Sequence, residues 1–315
     1  MVKSLLDLKS LNQDTVLKII DQSLKNKFDH AKNRQKYLKN KFEQTVHGAA
    51  GLLFFEPSTR TRFSFEMACA RLGVHPLVMD NLAGSSLEKG ESIEDTVLNL
   101  EAMGPLFFVI RCSEQTNLKA IAEMTSTPII NAGWGSQGHP TQALLDITTL
   151  FEKWTAIYQK KILFVGDVLH SRVFSSHLEL AQIMGYNLAV CAPTEFQLTS
   201  ETKYAQVLRF DKIEEALEWA DGVITLRVQK ERHKDGLHLI KGLDSEQYRL
   251  QYGLNSERAK RLKNQGVILH PGPINYGVEI EKNVLLDSRS VILQLVENGV
   301  FIREVILQKA ISGDL

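Results

Sequence analysis

Residues 51–73 read GLLFFEPSTRTRFSFEMACARLG, and the order of residue types in this stretch decides the fold. Gly51–Phe55 is a short apolar run of strand length, Pro57-Ser-Thr-Arg-Thr-Arg breaks it, and a helix carrying Phe63, Phe65, Met67, Cys69 and Leu72 follows until Gly73 stops it. The same order recurs outward along the chain. In the first half the apolar runs are Leu77–Met79, Leu106–Ile110 and Pro128–Ile130, and in the second Lys161–Val165, Asn187–Cys191, Val223–Leu226 and Val267–Leu269. Strands alternating with helices predict βαβ units. The expected fold class is α/β: two domains, each a mostly parallel sheet flanked by helices, joined by two interdomain helices. The expected boundaries are 1–150 for the first domain and 151–287 for the second, with a C-terminal helix over 288–310 packing back on the first. One joining helix starts at His139-Pro140, where proline suits the first helical position, and the C-terminal one is strongly apolar but interrupted by Gly299.

A length of 315 residues suits two such domains, each able to bury a core. Lys+Arg 37 against Asp+Glu 37 leaves no basic surplus, which argues against nucleic acid held through its phosphates. The Lys- and Arg-rich run from Lys25 to Lys41 reads as a solvated helix face. No apolar run approaches the ~20 residues of a membrane span, and the opening MVKSLLDLKSLNQDTVLKII lacks a signal-peptide core, so a cytoplasmic location is expected. Cys69, Cys112 and Cys191 form no C-x-x-C pair and fit a reducing compartment. No histidine spacing matches a metal motif, and the turn Gly166-Asp-Val-Leu-His-Ser-Arg172 lacks the G-x-G-x-x-G of a dinucleotide fold, so neither metal nor cofactor is expected.

Ligands in open α/β sheets sit at the carboxyl ends of strands. The residues following the apolar runs are therefore the candidates. Ser58, Thr59 and Thr61 bring hydroxyls, Arg60 a planar fork of donors, and the helix that follows brings free N–H groups, a combination suited to phosphate. Helix spacing turns Arg62 away from Arg60, toward a structural ion pair. His139 opens a helix whose dipole disfavours imidazolium, so it is expected to be a neutral donor that polarises a carbonyl. Arg111, Arg172 and Arg227 each follow a strand, and Gln229 lies two residues beyond Arg227 in an extended segment. Paired arginines suit a substrate with two carboxylates, with an interdomain salt bridge as the alternative.

FEPSTRTRFSFE, SSLEKGES, HPTQALLD and HPGPINYGVE together, in this order over essentially the whole chain, resemble the aspartate/ornithine carbamoyltransferase family. Arg227-Val-Gln-Lys-Glu-Arg and His270-Pro-Gly-Pro are similar to its aspartate-specific members, and the H-C-L-P and D-x-W-x-S-M-G segments of ornithine-specific members are absent. Tyr276 departs from the pattern, since many bacterial members have Arg there. The resemblance implies transfer of the carbamoyl group of carbamoyl phosphate to the α-amine of L-aspartate, an early step of pyrimidine synthesis. It further implies that Ser58, Thr59, Arg60, Thr61 and Arg111 bind carbamoyl phosphate, that His139 and Thr61 face its carbonyl oxygen, and that Gln142 accepts from its NH2 group. Arg172, Arg227 and Gln229 are implied for the aspartate carboxylates, and the backbone at Pro271 and Gly272 for the lining of the site, with Gly272–Pro273 a candidate cis bond. Family members are trimers in which a neighbour's loop completes each site. Ser85 and Lys89 fall in that loop, Lys89 toward both substrates, and regulatory chains or a dihydroorotase are further partners the family allows. The alternatives left open are an ornithine-specific enzyme and a non-catalytic anion-binding relative.

Overall fold

Parallel strands covered by helices on both faces need continuous apolar runs, and those runs decide where the two sheets form. The computed structural model describes residues 4–43, 47–80, 85–199, 204–228 and 244–315. The chain divides into two units, Met1–Thr148 with Val296–Leu315, and Thr149–Leu295. Both divisions fall inside helices, α6 (Pro140–Trp154) and α11 (Ile292–Ser312), which carry the chain between the units.

In the first unit two helices, α1 (Gln13–Lys32) and α2 (Arg34–Glu43), precede the sheet. Asn12 caps α1 by accepting from the Thr15 amide at 2.9 Å. The strands β1 (Gly48–Phe54), β2 (Val74–Met79), β3 (Phe108–Cys112) and β4 (Ile129–Trp134) are all parallel, in the order β2-β1-β3-β4. Helices α3 (Thr59–Leu72), α4 (Ile93–Glu101) and α5 (Leu118–Met124) lie between successive strands, and Gly73 ends α3 in the left-handed region. Leu52, Leu53, Phe108, Val109, Ile110, Ile129 and Ile130 are buried at the centre of the sheet. At its edge the Leu5 backbone brackets β4, donating to Ile129 at 2.8 Å and accepting from Asn131 at 2.9 Å.

The second unit holds β5 (Lys161–Val165), β6 (Asn187–Cys191), β7 (Leu208–Phe210), β8 (Gly222–Thr225) and β9 (Val267–Leu269) in the order β7-β6-β5-β8-β9, again parallel. Among the described residues four helices accompany it: α7 (Arg172–Met184), α8 (Ile213–Trp219), α9 (Ser245–Tyr252) and α10 (Ser256–Ala259). Leu163, Val165, Ala189, Val223 and Ile268 form its core with Ile213 and Leu217 of α8. The edge strand β7 escapes the sequence pattern because it has three residues, none of them buried.

Strand order places the chemistry. A sheet built outward in both directions from its first strand has a crevice at the carboxyl end where the direction reverses, and ligands collect there. In the first unit the reversal lies between β1 and β3, and in the second between β5 and β8.

Candidate active site

At the reversal of the first sheet, Ser58 to Thr61 follow β1 and Arg111 ends β3, with Phe54 of β1 in register with Arg111. Ser58 stands at the N-cap of α3 in extended conformation, but its side chain makes no capping bond. The Ser58 hydroxyl is therefore not consumed in capping, unlike that of Ser92, which caps α4 by accepting from Asp95 N at 3.0 Å. Thr61 is buried on the first turn, whereas Thr59 and Arg60 are exposed. Arg62 turns away into an ion pair with Glu66 at 3.1 Å and a second with Asp80.

Arg111 is held from two sides. Its Nε lies 3.8 Å from Glu56 Oε2, and its NH1 donates to Ala132 O at 3.4 Å. Glu56 sits inside the quoted FEPSTR stretch, yet its partner could not be read from sequence because that partner lies on another strand.

His139 is reached from β4 through a tight turn. Asn131 builds the turn, its Nδ2 donating to Leu6 O at 2.7 Å and Gly138 O at 3.3 Å while its Oδ1 accepts from Gly133 N at 2.7 Å. The Trp134 amide donates to Gly138 O at 3.0 Å, which closes the turn directly before His139. His139 is buried, and its carbonyl accepts the amides of Gln142 at 3.0 Å and Ala143 at 3.2 Å, so it opens α6 with Pro140 as the first helical residue. Gln142 and Asp146, both buried, are joined on α6 by a bond from Gln142 Nε2 to Asp146 Oδ1 of 2.9 Å.

Ser85 and Lys89 bracket a short 3-10 helix, Ser86–Lys89, that precedes α4, with Lys89 exposed. They lie on the stretch between β2 and β3, not on the turns after β1, β3 or β4.

At the reversal of the second sheet, β5 ends at Gly166 with φ +117°, where a Cβ would come 2.8 Å from Tyr248 Oη and 3.1 Å from Leu226 O, so only glycine fits the turn. Asp167 receives the His170 amide at 3.2 Å and its Nδ1 lies 2.9 Å away, folding the loop back toward Ser171. Ser171 caps α7 by accepting from Phe174 N at 3.2 Å, and Arg172 is the first residue of that helix, half-buried. Arg227, also half-buried, follows β8. The two arginines thus stand after β5 and β8, the adjacent strands that flank the crevice. Gln229 lies outside the described residues.

After β9 the His270-Pro271-Gly272-Pro273 turn carries a cis Gly272–Pro273 bond. His270 Nδ1 accepts from Gly272 N at 2.7 Å, so its proton belongs on Nε2, which faces Glu279 Oε1 at 3.3 Å. Glu279 Oε1 also accepts from Asn275 N at 2.6 Å, and Asn275 Nδ2 donates to Val228 O at 3.1 Å. The HPGPINYGVE stretch is therefore one hydrogen-bonded loop tied to the residue after Arg227. Tyr276 is an exposed member of it.

A turn of hydroxyls and arginine in one unit and two arginines after neighbouring strands in the other are groups of the kind that small anionic ligands call for. The carbamoyl-P binding domain of the aspartate/ornithine carbamoyltransferases matches residues 3–152, and the Asp/Orn binding domain of the same family matches residues 158–309. The chain belongs to the aspartate/ornithine carbamoyltransferase family. It is 44% identical over 268 residues to an aspartate carbamoyltransferase catalytic subunit of Chlorobium limicola, covering 83% of this chain and 85% of the relative. Among solved structures, aspartate transcarbamoylase from Trypanosoma cruzi in complex with carbamoyl phosphate and aspartate superimposes with a TM-score of 0.81 at 24% identity, covering 100% of this chain and 97% of that one. Ornithine carbamoyltransferase from Thermus thermophilus superimposes with a TM-score of 0.79, also at 24% identity, covering 99% of each. The two structural likenesses define the fold and do not choose between the amine substrates.

Proposed function

We propose that this chain is an aspartate carbamoyltransferase, converting carbamoyl phosphate and L-aspartate to N-carbamoyl-L-aspartate and phosphate in pyrimidine synthesis. The observation that carries the reading is the placement of donors at the two strand-order reversals: Arg60, Thr61 and Arg111 across β1 and β3, and Arg172 and Arg227 across β5 and β8. The first group suits a dianionic phosphate beside a carbonyl, the second a dicarboxylate. Ornithine, with one carboxylate and a second ammonium, gives a pair of arginines less to bind. The family relative from Chlorobium limicola, an aspartate carbamoyltransferase by name, supports the same choice.

Chemically, the uncharged α-amine of aspartate attacks the carbonyl carbon, a C–N bond forms, and negative charge grows on the carbonyl oxygen. Thr61, Arg111 and His139 supply donors to that oxygen. Collapse breaks the C–O bond to phosphate, whose charge Ser58, Thr59 and Arg60 compensate, and the departing phosphate takes the proton released from the amine. Gln142 accepts from the carbamoyl NH2 group. The backbone at Pro271 and Gly272 serves the carbamoyl phosphate side, and Arg172, Arg227 and Gln229 take the aspartate carboxylates. In a homotrimer Ser85 and Lys89 would complete a neighbour's site, Lys89 serving both substrates.

Incubating the purified chain with carbamoyl phosphate and either aspartate or ornithine tests the reading. N-carbamoyl-L-aspartate and stoichiometric phosphate are expected. Turnover with ornithine alone, or phosphate binding without product, rejects it.

A further inference from the structure

The amide of Gln142 can present either its oxygen or its NH2 group to a ligand, and residues away from the phosphate turn decide which. Gln142 Nε2 donates to Asp146 Oδ1 at 2.9 Å. A carboxylate only accepts, so this contact forces the NH2 group toward Asp146 and leaves Oε1 on the opposite side of the amide. Asp146 is itself buried, and a buried carboxylate needs compensation. Arg303 of α11, also buried, lies close enough for the charge of Asp146 to oppose the effect of desolvation on its guanidinium. Arg303 is fixed in turn: NH1 donates to Ser64 Oγ on α3 at 2.8 Å and to Gly299 O at 3.4 Å, and the guanidinium lies 5.0 Å from the centre of the Phe65 ring. Gly299 makes this possible, because a Cβ there would come 2.7 Å from Arg303 NH1 and 3.3 Å from Leu145.

We propose that Asp146, backed by Arg303, is a positioning residue that holds the Gln142 amide with its oxygen toward the ligand and thereby selects an acyl phosphate bearing an NH2 group. The inference rests on the carbamoyl-transfer reading and deepens it. Every other group placed on the acyl phosphate in this unit (Ser58, Thr59, Arg60, Thr61, Arg111 and His139) is assigned as a donor to phosphate or carbonyl oxygen. Such a donor set accepts acetyl phosphate as readily as carbamoyl phosphate, since the two differ only in CH3 for NH2. A fixed acceptor discriminates between them, because it gains a hydrogen bond from NH2 and is left unpaired against CH3.

The test is Asp146→Asn in the full chain. The asparagine can offer its NH2 to Gln142, whose amide then flips and presents NH2 to the ligand. Affinity for carbamoyl phosphate should fall roughly tenfold or more, while inhibition by acetyl phosphate should change by less than about twofold. Discrimination is the readout that a merely structural role would not move. If Asp146→Asn does not fold, the double variant Asp146→Leu/Arg303→Met removes the buried charges together and should show the same selective loss. Parallel loss of both ligands, or no change in either, overturns the proposal. A wild-type chain that binds no carbamoyl phosphate instead overturns the functional reading, so the two failures are distinct.

Discussion

Removing one hydroxyl, by Tyr37→Phe, tests how the C-terminal helix is anchored. Glu304 of α11 is fully buried and receives the Tyr37 hydroxyl on both oxygens, at 2.7 and 2.9 Å. Asn26 Nδ2 donates to it at 3.1 Å, Lys41 Nζ lies 2.8 Å away and Arg71 NH1 3.6 Å away. Burial and the neighbouring carboxylate push the Tyr37 phenol far above its ordinary range, so it stays a donor at any working pH. A hydrogen bond to a buried charge contributes about 1.5–3 kcal/mol. Three partners remain after Tyr37→Phe, which places the expected loss near the middle of that range, about 2 kcal/mol. For a domain of roughly 150–250 residues that corresponds to a fall in midpoint of about 4–8 °C. Scanning calorimetry of wild type and Tyr37→Phe measures it, with Tyr158→Phe as the control because Tyr158 is 67% exposed. A fall of less than about 1 °C would refute the reasoning, since it would mean that Asn26, Lys41 and Arg71 satisfy the carboxylate without Tyr37.

Three further outcomes follow from the same structure. Arg60→Ala and His139→Ala should each lower turnover roughly 10²–10³-fold, measured as N-carbamoyl-aspartate formed per subunit, and near wild-type rates would remove those residues from the site. If the chain forms the proposed trimer with shared sites, Lys89→Ala subunits mixed with Arg60→Ala subunits should regain part of the activity that each lacks alone; no recovery argues that each subunit acts by itself. Burial pushes the thiols of Cys69 and Cys191 up from an ordinary 9.0 to about 12, aided by Glu66 and by Glu214 with Asp211 respectively. The folded state therefore holds more protons than the unfolded one between these values, and this contribution to stability, complete below about pH 9, is lost as pH rises toward 12. The thermal midpoint should fall over that interval, and less steeply in Cys69→Ala/Cys191→Ala; equal slopes count against the cause.

Most strands were legible because a parallel strand covered on both faces must be a continuous apolar run, as in Lys161–Val165 and Asn187–Cys191, which the structure reproduces residue for residue. Where the run was mixed the reading was short: β1 begins at Gly48 and β4 extends to Trp134, since backbone pairing continues past the residues that look hydrophobic. β7 was missed because it has only three residues, none of them buried. Gly299 read as an interruption, yet α11 runs through it, because there the absent side chain makes room for Arg303. The turn after β1 was legible in Ser58 to Thr61, where hydroxyls and arginine alternate before a helix. Glu56, Asp146 and Arg303 were not, because a charged residue in sequence looks the same whether it faces water or a buried partner.

What the sequence by itself determined is the repeated unit of apolar run, polar turn and helix, together with the chemistry at each turn, because both depend on residues within a few positions of each other. What only the tertiary structure decided is the strand order, and with it the two reversals, so that Thr61 and Arg111 follow or end the neighbouring strands β1 and β3, and Arg172 and Arg227 follow the neighbouring strands β5 and β8. The tertiary structure likewise decided which buried charge meets which partner, as Arg303 meets Ser64 and Glu304 meets Tyr37. Parallel strands are joined by crossovers that permit several orders with the same local pattern, and the choice among them is made by packing between segments far apart in the chain.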